Sequence, residues 1–144
     1  LLLKLKDMNK PIPRGALLLS PWLDLSLSLP RAQEQNKDFI ISHEALEFSR
    51  SMYLNNQTDP TTPYVSPIYG RLNNLCELWI EVGSDEYLKS DAVALANKAT
   101  LAGIKTHLKL RKKGFHYFHV ASILPETKKA LGEISLWIRG LFHR

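Results

Sequence analysis

Residues 77–119, ELWIEVGSDEYLKSDAVALANKATLAGIKTHLKLRKKGFHYFH, decide how this chain is read. Leu78-Trp79-Ile80-Glu81-Val82 is a short, mostly apolar run, the pattern of a sheet strand covered on both faces. Gly83 stops it, and Ser84, Asp85 and Glu86 follow at its exit. Asp91 leads into a helical pattern through Val93, Leu95, Ala96 and Ala99, and Gly103 ends it, as glycine commonly does one residue past a helix. Residues 106–111 then alternate, with Leu108 and Leu110 on one face and His107, Lys109 and Arg111 on the other, as in an edge or half-exposed strand. Gly114-Phe115-His116-Tyr117-Phe118-His119 closes the unit. In an open α/β sheet, ligands and chemistry sit at the carboxyl ends of the strands. The acidic turn and the His loop both occupy such ends, so they can meet although far apart in sequence.

Working outward, residues 1–8 read as the last turns of a helix, broken by Asn9, Pro11 and Pro13. Residues 15–20 are continuously apolar up to Ser20, as in a buried parallel strand. Pro21-Trp22-Leu23-Asp24 leaves that strand, and residues 31–38 are polar, irregular chain. Ser42 is a good N-cap, Glu44 favours the first turn, and Ala45, Leu46, Ser49, Met52 and Tyr53 make residues 42–54 an amphipathic helix. Residues 55–63 are turn-rich, and Val65-Ser66-Pro67-Ile68 reads as extended. Pro125 opens a last helix whose stripe is Ala130, Leu131, Ile134, Trp137, Ile138, Leu141 and Phe142. The order helix, strand, helix, strand, helix, strand, helix points to an α/β fold, a mostly parallel sheet with helices on both faces.

Length and composition bound the function. At 144 residues the chain is one domain or part of one. It opens mid-pattern without Met, so a preceding segment is expected. A single cysteine, Cys76, argues against a disulfide scaffold and fits a reducing, cytoplasmic setting. No apolar run reaches the roughly 18 residues of a membrane span. The net charge of +5 is scattered apart from Lys109, Arg111, Lys112 and Lys113, which read as a solvated edge strand rather than a nucleic-acid patch.

His116 is the candidate general base, because a base needs a positioned imidazole whose second nitrogen is held by a carboxylate. Asp85 and Glu86 compete for that carboxylate, with Asp91 read as a helix-start residue and Asp24 as structural. His116 and His119 have the spacing of a metal pair, but no third ligand accompanies them, so neither metal nor cofactor is expected. Ser20 and Ser84 also sit at strand exits. Neither lies in Gly-x-Ser-x-Gly, the elbow that exposes a serine nucleophile, and that pattern is absent from the sequence, as is a His-Gly-Gly oxyanion motif. A Rossmann-type nucleotide binder would need a Gly-rich phosphate loop, which is also absent.

Glu86-Tyr87-Leu88, Leu101-Ala102-Gly103 and His116-Tyr117-Phe118, preceded by Leu18-Leu19-Ser20-Pro21-Trp22-Leu23-Asp24 and Val65-Ser66-Pro67, stand in a telling order. Together they resemble the acid-and-histidine half of α/β-hydrolases of the hormone-sensitive-lipase-like esterase family. That family carries Asp-Pro-Leu-x-Asp after a strand, a helix ending in Ala-Gly, a strand, and Gly-x-x-His-x-Phe. The sequence departs from it in Asn73-Asn74-Leu75-Cys76-Glu77, where Gly-Leu-Pro-Pro is usual, and in Lys112-Lys113 before Gly114. The resemblance implies the C-terminal portion of one α/β-hydrolase domain, acting on small-molecule carboxylic esters through a Ser-acid-His triad. His116 would be its base and Glu86 its acid, with Asp85 the alternative. Glu86 fits without a gap, at 116 − 86 = 30 residues from the base. The nucleophile and oxyanion loop would precede residue 1, so this chain alone would not turn over substrate. The competing reading is a non-catalytic hydrolase-like fragment or binding module. Leu46, Phe48 and Met52 are candidates to line an acyl pocket, with a plain core-facing helix as the alternative.

The apolar run 15–20 calls for a neighbour on each side, and an unpaired edge invites association. Residues 1–144 expressed alone are therefore expected to aggregate or melt without cooperativity. A monomer with one cooperative transition in scanning calorimetry would overturn this.

Overall fold

The computed structural model describes residues 1–30, 38–55, 57–112 and 114–143. In chain order the elements are α1 (Leu2–Asp7), β1 (Gly15–Leu19), α2 (His43–Leu54), β2 (Glu77–Gly83), α3 (Lys89–Leu101), β3 (Thr106–Arg111) and α4 (Pro125–Phe142). Single 3-10 turns occupy Pro67–Tyr69 and Phe118–Val120. The three strands are parallel in the order β1-β2-β3, with Leu17 beside Trp79 and Trp79 beside His107. All three exits therefore open on the same end of the sheet.

β2 is central, and its alternate residues are buried on opposite faces. Leu78, Ile80 and Val82 pack with Ala92, Leu95, Ala96 and Ala99 of α3 and with Leu3 of α1. Trp79 faces the other way, against Ile134, Trp137 and Leu141 of α4, with the Trp79 and Trp137 ring centroids 5.6 Å apart. Each buried Leu, Ile or Val among them contributes roughly 2 kcal/mol by leaving water. Gly15 lets α4 lie directly on the sheet, since a Cβ there would fall 2.6 Å from Leu141 Cδ1. Gly103 takes φ +75° past the end of α3. Ser42 caps α2 through its hydroxyl oxygen, which accepts the Ala45 N–H.

Several sequence expectations are corrected. β1 is not among them: it forms one edge of the described sheet, the unpaired edge expected for residues 15–20, and Leu17 is 38 % exposed. Residues 67–69, read as extended, turn into a 3-10 helix, and Ser66 Oγ accepts the Leu25 N–H. On α2 only Leu46 and Leu54 are buried, while Phe48, Met52 and Tyr53 face outward. On α4 the buried stripe narrows to Ala130, Ile134, Trp137 and Leu141, beside the polar Thr127. The irregular stretch read at 31–38 lies outside the described residues except for Asp38, which is buried and receives the N–H groups of Ile40, Ile41 and Tyr87. No helix among the described residues is long and apolar enough to cross a membrane.

Gly83, at the exit of β2, touches Gly114 backbone to backbone. A Cβ on Gly83 would fall 2.0 Å from the Gly114 carbonyl oxygen. Gly83→Ala must push the two loops apart and is expected to cost about 3 kcal/mol or more in urea unfolding of the full-length protein. Gly132→Ala, inside α4 with nothing within 4 Å of its added methyl, is expected to stabilise by about 0.5–1 kcal/mol. Equal effects would contradict the close approach.

Candidate active site

The exits of β2 and β3 are tied through one carbonyl. Arg111 C=O accepts both the Ser84 N–H at 2.7 Å and the Gly114 N–H at 3.1 Å. With Gly83 against Gly114, this brings the acidic turn and the His loop into contact. Glu86 is 4 % exposed, and its two carboxylate oxygens serve different strands. Oε1 accepts the Gly83 N–H at 2.6 Å and the Ser20 hydroxyl at 2.8 Å. Oε2 lies 3.1 Å from His116 Nδ1. Asp85 is half-buried and accepts the Ser84 hydroxyl at 3.0 Å. The structure thus brings Glu86 and His116 together and leaves Asp85 on its neighbour. An imidazole that gives its Nδ1–H to a carboxylate keeps Nε2 as a proton acceptor, and the carboxylate favours the imidazolium that forms next.

Ser20 has a part in the site that sequence reasoning missed. It ends β1 at φ +46°, donates to Glu86 and receives a long contact, 3.4 Å, from the Tyr117 N–H. Its placement at a parallel strand's exit was the only available signal. Tyr117, next to His116, itself takes φ +60°. Asp91 does stand in the first turn of α3. Its carboxylate, however, accepts the N–H groups of Leu23 and Asp24, both at 2.9 Å, and so fixes the chain leaving β1. Asp24 is structural as read. It gathers Ser26, Ser28 and the Leu29 N–H. Tyr87 joins the acid turn to α2, its hydroxyl 3.0 Å from His43 Nδ1.

On the α4 face of the sheet a second carboxylate is fully buried. Glu81 accepts Trp79 Nε1–H at 2.9 Å and a fork from Arg111, Nε at 2.8 Å and a terminal nitrogen at 3.2 Å. The guanidinium also pairs with Glu133, which Lys109 approaches at 3.7 Å. The basic cluster read from sequence is therefore largely engaged within the fold at Lys109 and Arg111, and Lys113 lies outside the described residues. His119 is buried with its Nε2 3.4 Å from Glu81 Oε1. That is ion-pair range without hydrogen-bond alignment, so neither ring nitrogen has a hydrogen-bond partner among the described residues. Among those residues, no group of three or more His, Cys, Asp or Glu could hold a metal ion.

Burial opposes ionisation of Glu81. The approach of His119, the donors of Arg111 and Trp79 and the Arg111 charge outweigh it and bring the carboxyl down from 4.5 to about 2. A carboxyl whose pKa is lowered by folding stabilises fully above its unfolded value and loses that contribution as pH falls through the folded one. About 3 kcal/mol is therefore expected to disappear between about pH 4.5 and about pH 2. Urea unfolding of the full-length protein across that window checks it. Glu81→Gln should flatten the slope, and an unchanged slope would contradict the pairing.

The comparisons with known proteins bear on the fold and the family. A family model described as alpha/beta hydrolase fold matches residues 1–120. An esterase of Acinetobacter venetianus is 35 % identical over 135 residues, 92 % of this chain and 45 % of that protein. An acetyl-hydrolase of Streptomyces hygroscopicus is 32 % identical, with 94 % of this chain and 46 % of that protein covered. The solved structure of a hormone-sensitive lipase from a metagenome library superposes with a TM-score of 0.91 at 32 % identity, covering 97 % of this chain and 48 % of that one. The chain spans about half the length of the relatives it matches. With its parallel sheet and its carboxylate-histidine pair at the strand exits, the chain belongs to the α/β-hydrolase fold family and, within it, aligns with the hormone-sensitive-lipase-like esterases.

Proposed function

We propose that this chain supplies the acid and the base of a carboxylic-ester hydrolase that works through a Ser-acid-His triad. The observation that carries this is the buried Glu86 carboxylate, held by Gly83 and Ser20, with its free oxygen 3.1 Å from His116 Nδ1. Family membership supports the same chemistry. His116 takes the proton of a serine as it attacks the ester carbonyl, then returns it to the leaving alcohol. Glu86 holds the imidazole in the tautomer that leaves Nε2 free and stabilises the imidazolium. An acyl-enzyme forms, and water activated by the same His116 releases the acid. The 144 residues hold no Gly-x-Ser-x-Gly elbow, so the serine and the oxyanion donors are assigned to sequence preceding residue 1.

For the substrate we propose small esters with short acyl chains, in keeping with the acetyl-hydrolase among the relatives. Exposed apolar groups are available for contact: Phe48 and Met52 on α2, and Phe39, whose ring centroid is 5.3 Å from that of Phe115 beside the base. Leu46 is withdrawn from that role by its burial against Tyr87 and Leu88. The alternative reading is a non-catalytic hydrolase-like module. Coding sequence upstream of Leu1 with no elbow would select it.

The test is turnover of a short p-nitrophenyl ester by the full-length protein. His116→Ala is expected to lose at least about a thousandfold in kcat. Glu86→Gln, near-isosteric but uncharged, is expected to lose about a thousand- to ten-thousandfold, and Asp85→Asn less than about fivefold. A crippled Asp85→Asn beside an active Glu86→Gln would move the acid back one position.

A further inference from the structure

An apolar strand that carries one buried carboxylate needs a reason. Glu81 sits in the middle of β2 at 0 % exposure, between Ile80 and Val82, both also at 0 %. Removing a carboxylate from water costs several kcal/mol, and an apolar residue of similar volume is often as stable or more so. Its pairing therefore does not by itself explain its presence in the fold. What its partners have in common does. Arg111 is the last residue of β3, five positions before His116, and His119 stands three positions after it. Both converge on Oε1 of Glu81, Arg111 Nε at 2.8 Å and His119 Nε2 at 3.4 Å. Arg111 is moreover the residue whose carbonyl receives Ser84 and Gly114, so its side chain and its backbone hold both halves of the site.

We infer that Glu81 is a positioning residue for the base: from the central strand it tethers Arg111 before His116 and His119 after it, and so fixes the imidazole between them. This rests on the esterase reading of His116. The other restraints on this stretch leave room for such a role. Tyr117 N–H reaches Ser20 only at 3.4 Å, and Thr127 Oγ1 holds the Phe118 carbonyl from the α4 side. Trp79 Nε1–H and Glu133 complete the set, Trp79 by filling Oε2 and Glu133 by holding the far side of the guanidinium. The groups facing Glu81 are thus Arg111, His119 and Trp79, of which His119 and Trp79 are themselves buried. The effect on the reaction is carried through His116 alone.

The experiment compares Glu81→Gln, His119→Leu, His119→Gln and Leu95→Ala with wild type in the full-length enzyme. Leu95→Ala is a control for lost stability on the α3 face. Two readouts are taken: kcat and KM on a short p-nitrophenyl ester, and amide hydrogen exchange of peptides covering residues 114–119. Glu81→Gln is expected to lower kcat about ten- to a hundredfold with KM within about twofold, and to speed exchange selectively in that loop. His119→Leu is expected to lose about five- to tenfold in kcat, with His119→Gln recovering most of it because its amide keeps a polar N–H group facing the Glu81 carboxylate. Leu95→Ala is expected to melt lower yet keep kcat within about twofold of wild type. Wild-type loop exchange in Glu81→Gln overturns the inference whatever the activity, and so does wild-type kcat with a loosened loop. If Glu81→Gln does not fold, equal kcat in His119→Leu and His119→Gln overturns it. A wild-type enzyme without esterase turnover counts against the proposed function instead, and the exchange measurement still decides whether Glu81 holds the loop.

Discussion

The architecture depends on one buried carboxylate whose acceptor sites are filled from three separate places. Glu86 takes a hydroxyl from the end of β1, an N–H from the end of β2 and an imidazole from the loop after β3. A carboxylate withdrawn from water is tolerable only when so satisfied. It therefore fixes the mutual position of three strand exits that share nothing in sequence. The arrangement needs strands that run the same way and two backbones close enough that neither Gly83 nor Gly114 can carry a side chain.

The two faces of β2 are built on different physics. Toward α3 the contacts are wholly apolar, non-directional and tolerant of small shifts. Toward α4, aromatic packing of Trp79 on Trp137 gives way, near the exits, to the Glu81, Arg111 and Glu133 chain. Charge-assisted bonds of this kind are short and directional, and a planar guanidinium holds two carboxylates in a defined geometry. Burial works against the Arg111 charge, and the two flanking carboxylates overcome that and push its pKa upward. Directional bonds thus concentrate near the strand exits, and non-directional packing fills the rest.

Much of the fold was legible because periodicity and punctuation are local. β2, α3 and β3 follow from an apolar run, a helical repeat and an alternation, and Gly83 and Gly103 mark their ends. The site was half legible. His116 stood out by its place after a strand, and of the adjacent Asp85 and Glu86 the ungapped register of the family resemblance favoured Glu86 as the acid. The residues by themselves left both open, because which of the two faces His116 depends on how the turn after Gly83 winds. The parts played by Ser20, Asp38 and Asp91 were hidden for a related reason. Each side chain serves a partner distant in sequence, and the direction of those partners exists only once the strands are aligned. For β1 the apolar run reports what the strand prefers to be covered by, not what lies beside it. The outward Phe48 and Met52 show the same gap for α2.

The central claim is that Glu86, and not its neighbour, holds the imidazole of His116. Its most direct test is proton NMR of the full-length protein in water, following the hydrogen-bonded Nδ1 proton of His116. A downfield resonance is expected that vanishes in Glu86→Gln and persists in Asp85→Asn. Its loss in Asp85→Asn, or its survival in Glu86→Gln, would contradict the account.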